Sequence, residues 1–177
     1  EFPNFSPYAD ELKALPKPAQ LPYIEKLFKQ TLSHFQSKYP ALRFTYSLTG
    51  MFKEVRSLGL QHFDVLELHL WIHSPRFDNR TGFDTLTKDR GQRDYKDYAA
   101  RLRKTMDSVR PMLLQEMHNR LAFAADWGRE IAAPLVTTEA WGPWWHMDHP
   151  DLDWQWLKDW CEESMGLAGR YGFWGAT

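Results

Sequence analysis

The segment FDVLELHLW, residues 63–71, alternates strictly enough to define a strand: Leu66, Leu68 and Leu70 fall on one face, and Val65, Glu67, His69 and Trp71 on the other. RFTYSLTG, residues 43–50, repeats the pattern, with Phe44, Tyr46 and Leu48 opposite Arg43, Thr45, Ser47 and Thr49. In LVTTEAW, residues 135–141, alternation sets Leu135, Thr137, Glu139 and Trp141 against Val136, Thr138 and Ala140. Across the three strands one face carries Arg43, Thr45, Ser47, Glu67, His69, Thr137 and Glu139. A helix layer cannot cover such a face without burying polar groups at a cost. That one-sidedness constrains the fold more than any composition figure.

Helical patterns separate the strands. Ile24, Leu27, Phe28, Thr31 and Phe35 form one stripe over residues 22–38, which Pro40 ends. Phe52, Val55 and Leu58 mark a short helix closed by Gly59. Tyr95, Tyr98, Leu102 and Met106 keep helical spacing as far as Ser108; Pro111 predicts a boundary, with a second helix over 110–130. A helix over about 152–168 carries Trp154, Leu157, Trp160, Cys161 and Met165, and leads into a last strand in FWGAT.

This alternation of strands and helices builds a parallel α/β sheet. A doubly wound sheet is apolar on both faces. An apolar face opposite a polar one instead fits a (β/α)8 TIM barrel, whose strands turn one face to the helix ring and the other to an interior that opens at the active-site mouth. Four strands are half of the eight that close a barrel, so the expectation is the C-terminal half of a (β/α)8 barrel, a fragment of a longer chain. The strands of the missing N-terminal half, the structural partner of this one, would precede Glu1. Residues 1–177 then form a single incomplete domain, with residues 72–110 as an insertion on the substrate face.

With 22 Lys and Arg against 23 Asp and Glu, the net charge of -1 provides no field for a nucleic acid backbone or an anionic membrane. No apolar run approaches the length of a membrane span. A single cysteine, Cys161, leaves no internal disulfide framework, and the compartment stays open.

Residues 135–149, LVTTEAWGPWWHMDH, place Glu139 at the end of a strand, where barrel enzymes carry catalytic groups, and follow it with Trp141, Trp144, Trp145 and His146. Indole faces stack on sugar rings while their N–H groups reach hydroxyls, so the cluster reads as a carbohydrate platform. The plainer reading of Glu139 is a structural ion pair with Arg43. His146, Asp148 and His149 invite a metal reading. Three ligands within four loop residues converge poorly, however, and Asp148 or Asp151 capping the next helix accounts for the acid more simply.

Taken together, these residues resemble the cellulase-like members of the large clan of retaining (β/α)8-barrel glycoside hydrolases. The resemblance implies that Glu139, in TTEAWGPW, is the nucleophile ending the seventh strand. It implies that His69 and Trp71, in LHLW, are the His-x-aromatic pair of the sixth strand, with Trp in place of the usual Tyr. Trp174, in GFWGAT, would floor the sugar site, and Glu1 would be the acid/base from the Asn-Glu pair ending the fourth strand. The implied partner is a β-linked glycan, and no metal or cofactor is implied. The alternatives are a non-catalytic carbohydrate-binding barrel and a metal-dependent hydrolase using His146, Asp148 and His149.

Overall fold

A computed structural model describes residues 9–50, 52–59, 63–72, 75–82, 95–143 and 150–176. In chain order the elements are α1 (Ala9–Ala14), α2 (Lys17–Lys38), β1 (Ser47–Leu48), α3 (Phe52–Ser57), β2 (Leu66–Leu68), α4 (Pro75–Thr81), α5 (Tyr95–Glu130), β3 (Leu135–Thr137), α6 (Gln155–Arg170) and β4 (Phe173–Ala176). The strands pair in parallel in the order β1-β2-β3-β4. Doubly wound sheets reverse their strand order at a switch point. Here the order never reverses, and right-handed crossovers then put every connection on one face. That is the winding of half a (β/α)8 barrel.

The apolar strand face builds the core. Leu66, Leu68 and Leu70 are fully buried, in one cluster with Val109, Leu113, Met117, Leu121 and Ala124 of α5. Helix α2 contributes Ile24, Phe28 and Leu32. Leu32 stands where Thr31 and Phe35 were expected; Phe35 is 42% exposed and stacks on Phe44, with ring centroids 5.7 Å apart.

Pro111 does not divide its helix, because α5 runs unbroken from Tyr95 to Glu130. An interior proline costs about 3 kcal/mol. Met106, Val109, Leu113 and Met117 are buried on either side of it, and at about 1.5–3 kcal/mol for each buried side chain the continuous stripe outweighs that cost. Strand β1 is shorter than its alternation predicts. The chain ahead of it is held by Asp64, which accepts the Phe44 N–H at 2.8 Å and donates its own N–H to the Phe44 carbonyl at 3.1 Å. The 72–110 connection contains α4 and the first turns of α5.

The expected alternation of LVTTEAW breaks. Leu66 pairs with Leu135 and Glu67 with Val136, yet Leu70 bridges to Ala140. From Leu66 to Leu70 one strand advances four residues while its partner, from Leu135 to Ala140, advances five. The extra residue is a β-bulge. Leu135 and Thr137 therefore face the helices, opposite to their predicted side, with Leu135 6% and Thr137 1% exposed. Val136 shares the inner face with Glu67, Thr138 binds Glu67, and Glu139 follows on the same side, against His69. A second register shift, between Leu135 and Val136, makes Trp174 the extra residue of β4.

Candidate functional site

The polar inner face converges at the C-terminal ends of β1, β2 and β3, where His69 is the centre. It is 8% exposed, and one ring nitrogen, Nε2, shares a short hydrogen bond with Ser47 Oγ. The other, Nδ1, lies 3.1 Å from Glu139 Oε2. No aligned hydrogen bond to Nδ1 is formed among the described residues, so at this distance the contact is one of charge and proximity rather than of direction. Glu67 is 3% exposed, with Oε1 3.7 Å from His69 Nε2. That same oxygen accepts the Thr138 N–H at 3.1 Å and the Thr138 hydroxyl at 2.8 Å.

The order Ser47, His69, Glu139 is that of a hydrolytic triad, but the burial is reversed. A triad acid is buried and orients the histidine. Here the Glu139 side chain is 53% exposed while the imidazole is 7% exposed. Ser47 and Glu67 therefore orient His69, and His69 steadies a carboxylate that is open to a ligand.

Just beyond Glu139 the backbone turns sharply. Trp141 has φ 70°, in the left-handed region that bulky residues avoid. Hydrogen bonds hold the turn, among them Leu70 N–H to the Glu139 carbonyl at 3.0 Å, Trp141 N–H to the Leu70 carbonyl at 3.0 Å, Gly142 N–H to the Ala140 carbonyl at 2.9 Å, and Trp160 Nε1–H to the Trp141 carbonyl at 2.8 Å. Arg120 of α5 similarly donates to the Trp71 carbonyl at the end of β2. Burial lowers the pKa of its guanidinium, and the charge of Glu116 opposes that shift.

Of the residues singled out from the sequence, His69, Trp71 and Glu139 come together; the rings of His69 and Trp71 meet edge to face with centroids 6.3 Å apart. Trp141 does not offer a platform: it is 3% exposed, and its indole belongs to the core. Trp174 is 78% exposed and lines a cleft with Ala133, Pro134, Tyr171 and Gly172, which precede β3 and β4, at the opposite end of the strands from Glu139. Glu1, Trp144, Trp145, His146, Asp148 and His149 lie outside the described residues. The Glu139–Arg43 ion pair does not form; Arg43 lies ahead of β1, 3.8 Å from Asp64. Among the described residues no group of three or more His, Cys, Asp or Glu could hold a metal ion, and no helix is long and apolar enough to cross a membrane. Ser47 and Glu67 were legible as polar inner-face residues but not as partners of His69. Thr138 lies on the inner face, opposite to the side its alternation predicts.

The winding and the carboxylate–imidazole cluster at the strand ends define a barrel-type α/β domain with its site at the C-terminal face of the sheet. The chain belongs to the cellulase-like family: the family model described as "Sugar-binding cellulase-like" matches residues 2–177. Among solved structures it is similar to a Parabacteroides distasonis protein assigned by inference as a glycoside hydrolase, with a TM-score of 0.67 and 25% identity. The match covers 89% of this chain and 41% of the other, so the chain spans about two fifths of that protein's length. No curated protein matches the chain.

Proposed function

We propose that this protein is a retaining glycoside hydrolase acting on β-linked glycans or oligosaccharides, with Glu139 as nucleophile and Glu1 as acid/base. The observation that carries this reading is the placement of Glu139. It is an exposed carboxylate at the end of β3, turned inward by a bulge and steadied by His69 at 3.1 Å. In the retaining mechanism one carboxylate attacks the anomeric carbon while the other carboxyl protonates the departing oxygen. The second group then removes a proton from water, which hydrolyses the glycosyl-enzyme with net retention. Strands of a preceding half-barrel complete the site in this proposal and carry the leaving-group side of the substrate.

Glu139→Gln keeps the shape and removes the nucleophile. Turnover of an aryl β-glycoside should fall by several orders of magnitude, and in Glu139→Ala, which leaves room for a small anion, added azide should restore cleavage with a product of inverted configuration. Wild-type turnover in Glu139→Gln would refute the assignment. The family description favours one further reading, sugar binding without turnover. Oligosaccharide binding by a wild-type protein that cleaves no glycoside would establish it.

A further inference from the structure

We propose that Glu67 and Thr138 are positioning residues for Glu139, acting by holding the bulge that turns its carboxylate toward His69. In an unbulged strand Leu135, Thr137 and Glu139 would share one face, and that face meets the helices, as the burial of Leu135 and Thr137 records. Glu139 reaches the inner face only because β3 takes one more residue than β2 between their pairings at Leu66–Leu135 and Leu70–Ala140. Backbone pairing alone does not select that arrangement, since a bulge leaves a residue without a ladder partner.

Glu67 supplies the selection. Its buried Oε1 collects both donors of Thr138, the N–H at 3.1 Å and the hydroxyl at 2.8 Å, at the residue immediately before Glu139. In the regular register the Thr138 amide would belong to the ladder and the Glu67 carboxylate would lose that N–H donor, while its other oxygen, Oε2, has no partner among the described residues. A buried carboxylate short of donors is disfavoured. The same Oε1 lies 3.7 Å from His69 Nε2, so one side chain orients the imidazole and places the acid that the imidazole meets.

The Thr138 side chain is exposed, so its hydroxyl can be removed without opening a cavity in the core. Removing a hydrogen bond to a charged group shifts the balance between bulged and regular strand by about ten- to a hundredfold. The test uses the intact protein with histidine labelled with nitrogen-15, the His69 signals being assigned by their loss in His69→Gln. Glu139→Ala defines the signals of an imidazole without its acid. Thr138→Val should move the His69 signals toward that position, and Thr138→Ser should leave them unchanged. On an aryl β-glycoside Thr138→Val should lower kcat by up to about a hundredfold with KM within about twofold, and Thr138→Ser should restore kcat.

Glu67→Gln, which keeps an acceptor oxygen, should retain more of kcat than Glu67→Leu. If Thr138→Val does not fold, Thr138→Ala removes the same hydroxyl. Wild-type His69 signals in a folded variant lacking the hydroxyl would overturn the proposal. The kinetic arm rests on the glycosidase reading. If the wild type cleaves no glycoside, that reading fails and the His69 signals alone decide the role of Thr138.

Discussion

Trp160→Phe probes how the strained turn after Glu139 is held. Trp160 is 1% exposed, and its Nε1–H is 2.8 Å from the carbonyl of Trp141, itself 3% exposed with φ 70°. A non-glycine residue held in a sparsely populated backbone region costs about 1–3 kcal/mol and persists only where surrounding bonds over-determine it. Phe keeps an aromatic ring in the core and loses the donor. Leaving the buried carbonyl unsatisfied costs about 1–3 kcal/mol, and the smaller ring adds about 1 kcal/mol of cavity, for a total of about 2–4 kcal/mol. In a domain of this size each kcal/mol moves Tm by about 2–4 °C, so calorimetry should record a fall of about 4–16 °C. Hydrogen exchange locates the effect. The amide of Trp141, bonded to Leu70 O at 3.0 Å, should lose protection, while that of Leu66, bonded to Pro134 O at 2.8 Å, should lose less. A Tm fall under about 2 °C, or an equal loss at both amides, would refute the idea that this indole holds the turn.

Three further outcomes follow from packing and titration. Gly128→Ala should destabilise by about 1–2 kcal/mol in urea unfolding, because overpacking outweighs the helix preference of Ala; the added Cβ would lie 2.7 Å from Leu135 Cδ2 and 3.0 Å from the Ala133 carbonyl, and the carbonyl cannot swing aside. Trp174→Ala should change stability by no more than about 0.5 kcal/mol, since the indole is 78% exposed; a loss of about 3–5 kcal/mol would mean that the ring is buried by a segment packed over it. Burial first, and the charge of Asp78 second, raise the pKa of Tyr98. The unfolded chain therefore ionises at this residue from about pH 10 while the folded hydroxyl stays protonated, so stability falls as pH rises above that point. Tyr98→Phe should make the alkaline slope of urea-derived stability shallower, and an unchanged slope would refute the assignment.

Local periodicity determined a large part of this protein. The alternation in residues 63–71 put Leu66, Leu68 and Leu70 under the helices and Glu67 and His69 on the inner face, because side-chain direction in an unbroken strand depends only on parity. The same rule, applied to residues 135–141, placed Glu139 inward together with Leu135 and Thr137, and only Glu139 is there. Parity is counted along one chain, whereas a bulge depends on how two strands are registered. The Glu67–Thr138 contact that accompanies the bulge joins residues 71 positions apart. Tertiary structure likewise decided that Arg43 meets Asp64 rather than Glu139, that Trp141 fills the core, and that α5 continues through Pro111. Each of these depends on which surfaces meet after folding, and burial by distant residues outweighs the local preference that the sequence expresses.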